Sequence, residues 1–399
     1  MPYHQTSCSS NGSKAEQENP TLYSQPSFHS GPTIKSLSHD QSFNLGTHHQ
    51  FIATFKGHNS YTSCLVLAGK FLFTGSSDKE ICMWEQKALT STIDAIIDTV
   101  IAGKGAVKSL VILADKVFSA HQDHKIRVWR IDNHNSDTPK IVHLVTLPRL
   151  SDRALKFMIP KNHVQIRRHK KSTWIHHVDT VSALALSNDE SFLYSVSWDR
   201  TLKIWRTNDF KCLESIANAH DDAINALEIS QDGDVFTGSA DKTIKMWRKG
   251  FEEKKHSLVC SLEKHKSGVN ALAVGRSSTT HSVLYSGACD RLILVWEKDE
   301  GGNMVLVGAL KGHKKSILCL AVIADLVCSG SADKTVRVWR GVERCYSCLC
   351  VIQGHSGPVK CLTVTSDQQI PSDTTSCYVL YTASLDGETK VWKFFVPLL

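Results

Sequence analysis

Seven times in this chain an Asp stands six residues ahead of a Trp. The strings are GSSDKEICMW, AHQDHKIRVW, SVSWDRTLKIW, GSADKTIKMW, GACDRLILVW, GSADKTVRVW and ASLDGETKVW. They give the pairs Asp78 and Trp84, Asp123 and Trp129, Asp199 and Trp205, Asp241 and Trp247, Asp290 and Trp296, Asp333 and Trp339, and Asp386 and Trp392. Such a period constrains the fold more than any local propensity. One unit of this length cannot bury its apolar faces alone and must stack against its neighbours.

Two further positions keep the same frame. A hydroxyl lies four residues before each Asp, at Thr74, Ser119, Ser195, Thr237, Ser286, Ser329 and Thr382. A His lies four residues ahead of the residue that opens an apolar run, at His58, His177, His220, His265, His313 and His355; the second unit has Gly103 there. Between His and Asp the chain alternates as two short strands, and from Asp to Trp it reads as a tight turn and a third strand. A fourth strand, such as LVCSLEKH or CLCVIQGH, leads to the next His. Four short strands per unit of roughly 40–50 residues is the blade of a β-propeller, so the pattern predicts an all-β, seven-bladed propeller.

These residues resemble the WD-repeat family, and the resemblance runs from about Phe51 to Trp392. It implies that the His, the Ser or Thr, the Asp and the Trp of one blade form a hydrogen-bonded chain in the first and in the third to seventh units. The chemistry agrees, because an Asp in a half-buried turn must find donors and an imidazole or indole N–H supplies them. As metal or catalytic groups the same residues fail, since one copy per blade spaces them around a ring. No Gly-rich phosphate loop, nucleophile elbow or paired metal motif occurs. No catalytic, cofactor-binding or metal residue is therefore assigned, and a non-enzymatic protein is expected.

The stretch FIATFKGH reads as a fourth strand with no blade before it, so residues 51–55 are expected to pair in the last blade and close the ring. Repeats are placed at about 51–86, 94–131, 172–207, 213–249, 258–298, 306–341 and 348–394. Residues 1–48, with ten Ser and little apolar periodicity, read as a disordered tail open to phosphorylation. No apolar stretch approaches the roughly 20 residues that span a bilayer, and no signal core opens the chain. The expected location is cytoplasm and nucleus, and the expected state is monomeric.

Trp-to-Trp spacing is 42–53 residues except between Trp129 and Trp205, where it is 76. The insertion covers 149–171 and holds Arg149, Arg153, Lys156, Lys161, Arg167, Arg168, Lys170 and Lys171 against Asp152. Its excess equals the +7 of the whole chain, so the remaining charges balance. That favours one local patch over a general polyanion-binding surface. Three readings of QIRRHKK stand side by side: a solvated loop, a nuclear-import or nucleic-acid patch, and a docking site for an acidic protein or phosphoinositide. Phe157, Met158, Ile159 and Pro160 are expected to pack part of the loop down. Beyond it, Lys79, Arg200, Lys242, Arg291 and Lys334 follow the turn Asp and put positive charge on the turn face, where Trp198 and Tyr61 are also expected. Tyr61, Trp198, Arg200 and Arg291, with Arg167, Arg168, Lys170 and Lys171 of the insertion, are the candidate partner-binding residues.

The thirteen cysteines form no disulfide framework for an intracellular chain, and Cys345, Cys348 and Cys350 read as strand packing. Among WD-repeat proteins, the chain lacks the heptad helix of G-protein β subunits and the Phe-Arg-Arg-Gly segment of lipid-binding propellers. It also lacks the Asp-Arg after the blade Trp that is common in ubiquitin-ligase receptors. The basic insertion KNHVQIRRHKK, the VWR or IWR blade ends and the Ser-rich leader resemble the plant JINGUBANG-like WD-repeat proteins. That likeness implies a regulator acting through protein partners such as transcription factors, in pollen germination and tube growth. The alternatives are nucleic-acid or anionic-lipid binding through the insertion, and a ubiquitin-ligase substrate receptor.

Overall fold

The computed structural model describes residues 47–86, 96–132, 138–149, 163–167, 170–250, 253, 255–276, 282–342, 344–367 and 374–398. The tail assigned to 1–48, apart from its last two residues, and the apolar centre of the insertion at 157–160 lie outside them. Strand β1 (His48–Phe55) is followed by six four-stranded blades in chain order. Blade 1 holds β2 (Thr62–Ala68), β3 (Phe71–Ser76), β4 (Glu80–Glu85) and β5 (Ile96–Ile101). Blade 2 holds β6 (Val107–Leu113), β7 (Lys116–His121), β8 (Ile126–Asp132) and β9 (Lys140–Leu147). A hairpin of β10 (His163–Arg167) and β11 (Lys170–Thr173) precedes blade 3, which holds β12 (Val181–Leu186), β13 (Phe192–Ser197), β14 (Leu202–Arg206) and β15 (Cys212–Ile216). Blade 4 holds β16 (Ile224–Ile229), β17 (Val235–Ser239), β18 (Ile244–Lys249) and β19 (His256–Leu262). Blade 5 holds β20 (Val269–Arg276), β21 (Ser282–Ala288), β22 (Ile293–Lys298) and β23 (Met304–Leu310). Blade 6 holds β24 (Ile317–Ile323), β25 (Leu326–Ser331), β26 (Val336–Val342) and β27 (Cys345–Ile352).

Blade 7 combines β28 (Val359–Ser366), β29 (Thr375–Ser384) and β30 (Thr389–Pro397) with β1 as its fourth strand. Pairing runs from His48 opposite Phe395 to Phe55 opposite Thr389, so the closing strand starts three residues earlier than the sequence indicates. The imidazole of His48 stacks on Phe395 at 4.4 Å, which explains the longer strand. Among the described residues no helix is long and apolar enough to cross a membrane.

Burial follows from sheets that stand radially. The second and third strands of each blade are covered on both faces, so they read as near-continuous apolar or small residues, as in FLYSVS and LKIWR. The fourth strand is half exposed, as in IIDTVI. Seven apolar layers result, one at each junction between consecutive blades. Each repeat Trp belongs to the layer shared with the preceding blade: Trp129 packs with Phe73 and Met83 of blade 1, and Trp84 with Tyr381 and Val391 of blade 7. Close approach requires small residues on the second strand. A Cβ on Gly287 would lie 2.4 Å from Ile317 of the next blade.

All seven inner strands bulge after their first residue. The bulge releases a carbonyl that the neighbouring blade uses. Ser182 Oγ donates to Ile224 O at 2.5 Å, Asn225 Nδ2 to Val269 O at 3.0 Å and Asn270 Nδ2 to Ile317 O at 2.9 Å. Ser63 Oγ donates likewise to Val107 O, and the thiols of Cys319 and Cys361 reach Val359 O and Thr62 O. At the remaining junction Leu184 N donates to Ser109 Oγ at 3.2 Å. A polar bond therefore stitches every pair of blades near the axis.

Candidate interaction face

Each predicted quartet is assembled across one sheet. In blade 4 the Trp247 indole N–H donates to Thr237 Oγ1 at 2.9 Å, that hydroxyl meets His220 Nε2 at 2.8 Å, and His220 Nδ1 meets Asp241 at 2.9 Å. Burial keeps the His220 imidazole neutral; with the hydroxyl, which accepts from the indole, donating to Nε2, the ring proton sits on Nδ1 and faces the carboxylate. The same contacts link His58, Thr74, Asp78 and Trp84; His177, Ser195, Asp199 and Trp205; His265, Ser286, Asp290 and Trp296. They link His313, Ser329, Asp333 and Trp339, and His355, Thr382, Asp386 and Trp392 as well. Every such Asp also accepts the backbone N–H following its His, as Val178 N does to Asp199 at 2.8 Å. The loop from the preceding fourth strand is thereby fastened to the turn.

Blade 2 solves the problem differently. Trp129 Nε1 donates to Ser119 Oγ at 2.7 Å, but the hydroxyl's partner is His121 of the same strand, at 2.7 Å. Asp123 is held by the Arg127 guanidinium through two bonds of 3.0 and 2.5 Å. Gly103 is needed because a Cβ there would meet that guanidinium at 2.4 Å. Burial and the Arg127 charge push His121 down to about 3, so it stays neutral. Arg127→Ala should cost on the order of 3 kcal/mol in urea unfolding, because it strands a largely buried carboxylate. A loss under about 1 kcal/mol would show that Asp123 finds another donor.

The His–Asp contacts place two sets of side chains on one face. The residue before each turn Asp is locked by its N–H to the carbonyl ahead of the inner strand, as in Trp198 N to Thr180 O, Leu385 N to Pro358 O and Ser77 N to Tyr61 O. The residue after each Asp takes a left-handed conformation: Lys79, His124, Arg200, Lys242, Arg291, Lys334 and Gly387, with φ between 67° and 85°. Trp198 is 41% exposed, and Lys108 of blade 2 lies 5.9 Å from its ring. Arg200 and Arg291 are exposed and Tyr61 is half-buried. Leu385, 45% exposed, and Val178, 37% exposed, join this face although the sequence reading did not single them out. Their positions beside Asp386 and His177 were the available signal.

Arg167, Lys170 and Lys171 fall on the β10–β11 hairpin, with Arg167 opposite Lys170 and Gln165 opposite Lys171; Arg168 lies outside the described residues. Cys348 packs into the layer between blades 5 and 6 and Cys350 into that between blades 6 and 7, because a bulge separates them. Their thiols therefore point to opposite faces.

Family comparison agrees with this geometry. The family described as "WD domain, G-beta repeat" matches residues 49–85, 168–206, 210–248, 256–297, 304–340 and 346–393, more than half of the chain. The chain belongs to the WD-repeat family. Blade 2, with its altered quartet, lies in the stretch between the first two matched segments. WD-repeat propellers serve as interaction scaffolds, and the fold is typically non-enzymatic. Similar proteins include telomerase protein component 1 of Rattus norvegicus, 24% identical over 245 residues, which is 58% of this chain and 9% of that protein. Another is zinc finger CCCH domain-containing protein 62 of Arabidopsis thaliana, 29% identical over 166 residues, or 41% of this chain and 37% of the relative. The chain therefore matches well under two thirds of either relative's length.

Proposed function

We propose that this WD-repeat propeller is a regulatory adaptor whose turn face binds a protein partner carrying acidic and apolar side chains. The observation that supports it is the exposed Trp198, backed by Lys108 and followed by Arg200, on a face where Val178 and Leu385 are also uncovered. A large aromatic beside cations is the composition of an interface hot spot. The sequence resemblance to JINGUBANG-like proteins supports a plant regulator in cytoplasm and nucleus, with transcription factors among its partners and pollen germination and tube growth as the setting.

Affinity capture with intact protein and with Trp198→Ala/Arg200→Ala tests this reading. Loss of partners is expected, with any purified partner binding about 30-fold more weakly, the effect of one hot spot worth ~2 kcal/mol. Thermal stability should be nearly unchanged. An identical partner list would refute the reading. Binding to naked DNA or anionic vesicles that falls steeply with salt would favour the polyanion alternative instead.

A further inference from the structure

Blade 1 departs from its siblings beside the quartet. Two residues after the turn Asp, blades 3, 4 and 6 carry Thr201, Thr243 and Thr335, whose hydroxyls lie 2.9, 3.1 and 3.3 Å from the quartet His Nδ1. Four residues after it, blades 2, 3, 4, 6 and 7 carry the cations Arg127, Lys203, Lys245, Arg337 and Lys390. Blade 1 has Glu80 and Cys82 at these two places. The ligand atoms of His58, Glu80 and Cys82 lie within 4.8 Å of one another, the only such His/Cys/Asp/Glu group among the described residues. Cys82 Sγ is 3.8 Å and Asp78 Oδ2 3.1 Å from His58 Nδ1. Among the described residues neither Asp78 nor Glu80 meets a Lys or Arg. The place that a cation fills in five other blades is here bordered by two carboxylates and a thiol.

We propose that His58, Glu80 and Cys82 supply three ligands to a divalent ion of zinc type, with a solvent oxygen as the fourth. One nitrogen, one sulfur and one carboxylate oxygen are donors that zinc accepts, at bond lengths of about 2.0–2.3 Å. Such bonds put neighbouring ligand atoms about 3.3–3.6 Å apart; Cys82 Sγ already lies 3.8 Å from His58 Nδ1, and small side-chain shifts bring Glu80 in from within 4.8 Å. The ion binds Nδ1 while the ring carries its proton on Nε2, and Asp78 still accepts the Asn59 backbone N–H at 2.9 Å. Thr74 and Trp84 then act as the outer shell, because the Thr74 hydroxyl at 2.7 Å from Nε2 fixes the ring. Binding releases one proton to solvent, from the Cys82 thiol; the imidazole stays neutral, its proton passing from Nδ1 to Nε2, where it faces the Thr74 hydroxyl. The ring layout is untouched, since the site uses one quartet and lies inside one blade. Sequence reading passed over it because the donors come from a loop and a strand more than twenty residues apart and form no Cys-x-x-Cys pair.

Cobalt(II) is a direct probe. Full-length protein freed of metal by chelation and titrated with cobalt(II) at near-neutral pH should develop a thiolate-to-cobalt charge-transfer band. Intense visible absorption of a tetrahedral ion should accompany it, saturate at one equivalent and be bleached by zinc(II). One proton should appear per ion bound, from the Cys82 thiol. Glu80→Thr should weaken binding by more than about tenfold. The double variant Glu80→Thr/Cys82→Lys rewrites blade 1 in the pattern of blade 4, should remain folded by circular dichroism, and should lose the band. Absence of the band in the wild type, or its persistence in the folded double variant, would overturn the proposal. So would the same band in Cys82→Ser, which would assign it to other thiols.

Discussion

Trp339→Ala is expected to lower the unfolding free energy by about 3–5 kcal/mol, the cost of a large aromatic deleted from a packed core. Trp339 is fully buried in the layer between blades 5 and 6, among Tyr285, Ile293, Val327 and Tyr346. Its loss opens a cavity at a junction that two blades share, and it strips Ser329 Oγ of the indole donor at 2.9 Å. Trp339→Phe separates these contributions. It keeps most of the volume and should cost only the hydrogen bond and residual gap, about 1–2 kcal/mol. Denaturant unfolding decides the matter, and a Phe variant as damaged as the Ala variant would place the energy in the polar chain rather than in the packing. Trp198→Ala is the contrasting case: its exposed ring should leave stability within ~0.5 kcal/mol.

Acid should unfold the ring in two stages. Burial pushes His58, His177, His220 and His355 below the ordinary 6.5, the nearby Asp opposing without cancelling it, and His121 is lowered to about 3. The folded imidazoles thus stay neutral where unfolded ones take up protons. Each contributes stability that is present above pH 6.5 and lost as pH falls below it, by up to about 1.4 kcal/mol per histidine per pH unit. Five such residues make the melting temperature drop steeply between roughly pH 6.5 and 5. The second stage lies lower. Burial alone would raise Asp123, Asp199, Asp241, Asp290, Asp333 and Asp386, but charge and hydrogen bonds to their carboxylates outweigh it and hold them below 3.8. Their contribution is present above pH 3.8 and disappears as pH falls through the folded values. Thermal unfolding followed from pH 7.5 to 4 tests the first stage. A melting temperature flat to pH 5 would mean that the imidazoles are protonated in the fold.

Most of the architecture was legible because it is written once per blade. An Asp six before a Trp, with a hydroxyl four before the Asp, dictates turn, strand and partner together, and the structure returns seven blades with the closing strand in the seventh. Residues that compensate across sequence were not legible. Gly103 advertises a missing His, yet nothing local says that Arg127 reaches back to hold Asp123 and that His121 serves Ser119. Leu385 and Val178 looked like ordinary apolar residues until their backbone bonds set them on the turn face. The insertion read as a charged loop, yet its residues 163–167 and 170–171 lie on paired strands; a run of Arg, His and Lys hides the alternation from a hydrophobicity pattern.

The pairing of β1 with β30 has a consequence for how such a chain acquires its structure. His48 waits for Phe395, so everything between them must leave the ribosome before the last seam can be sewn. Until then the nascent ring has two open sheet borders, each offering backbone donors and acceptors to any other strand nearby. A mutation that slows the formation of blade 7 would therefore harm yield more than the melting temperature of molecules that succeed in closing.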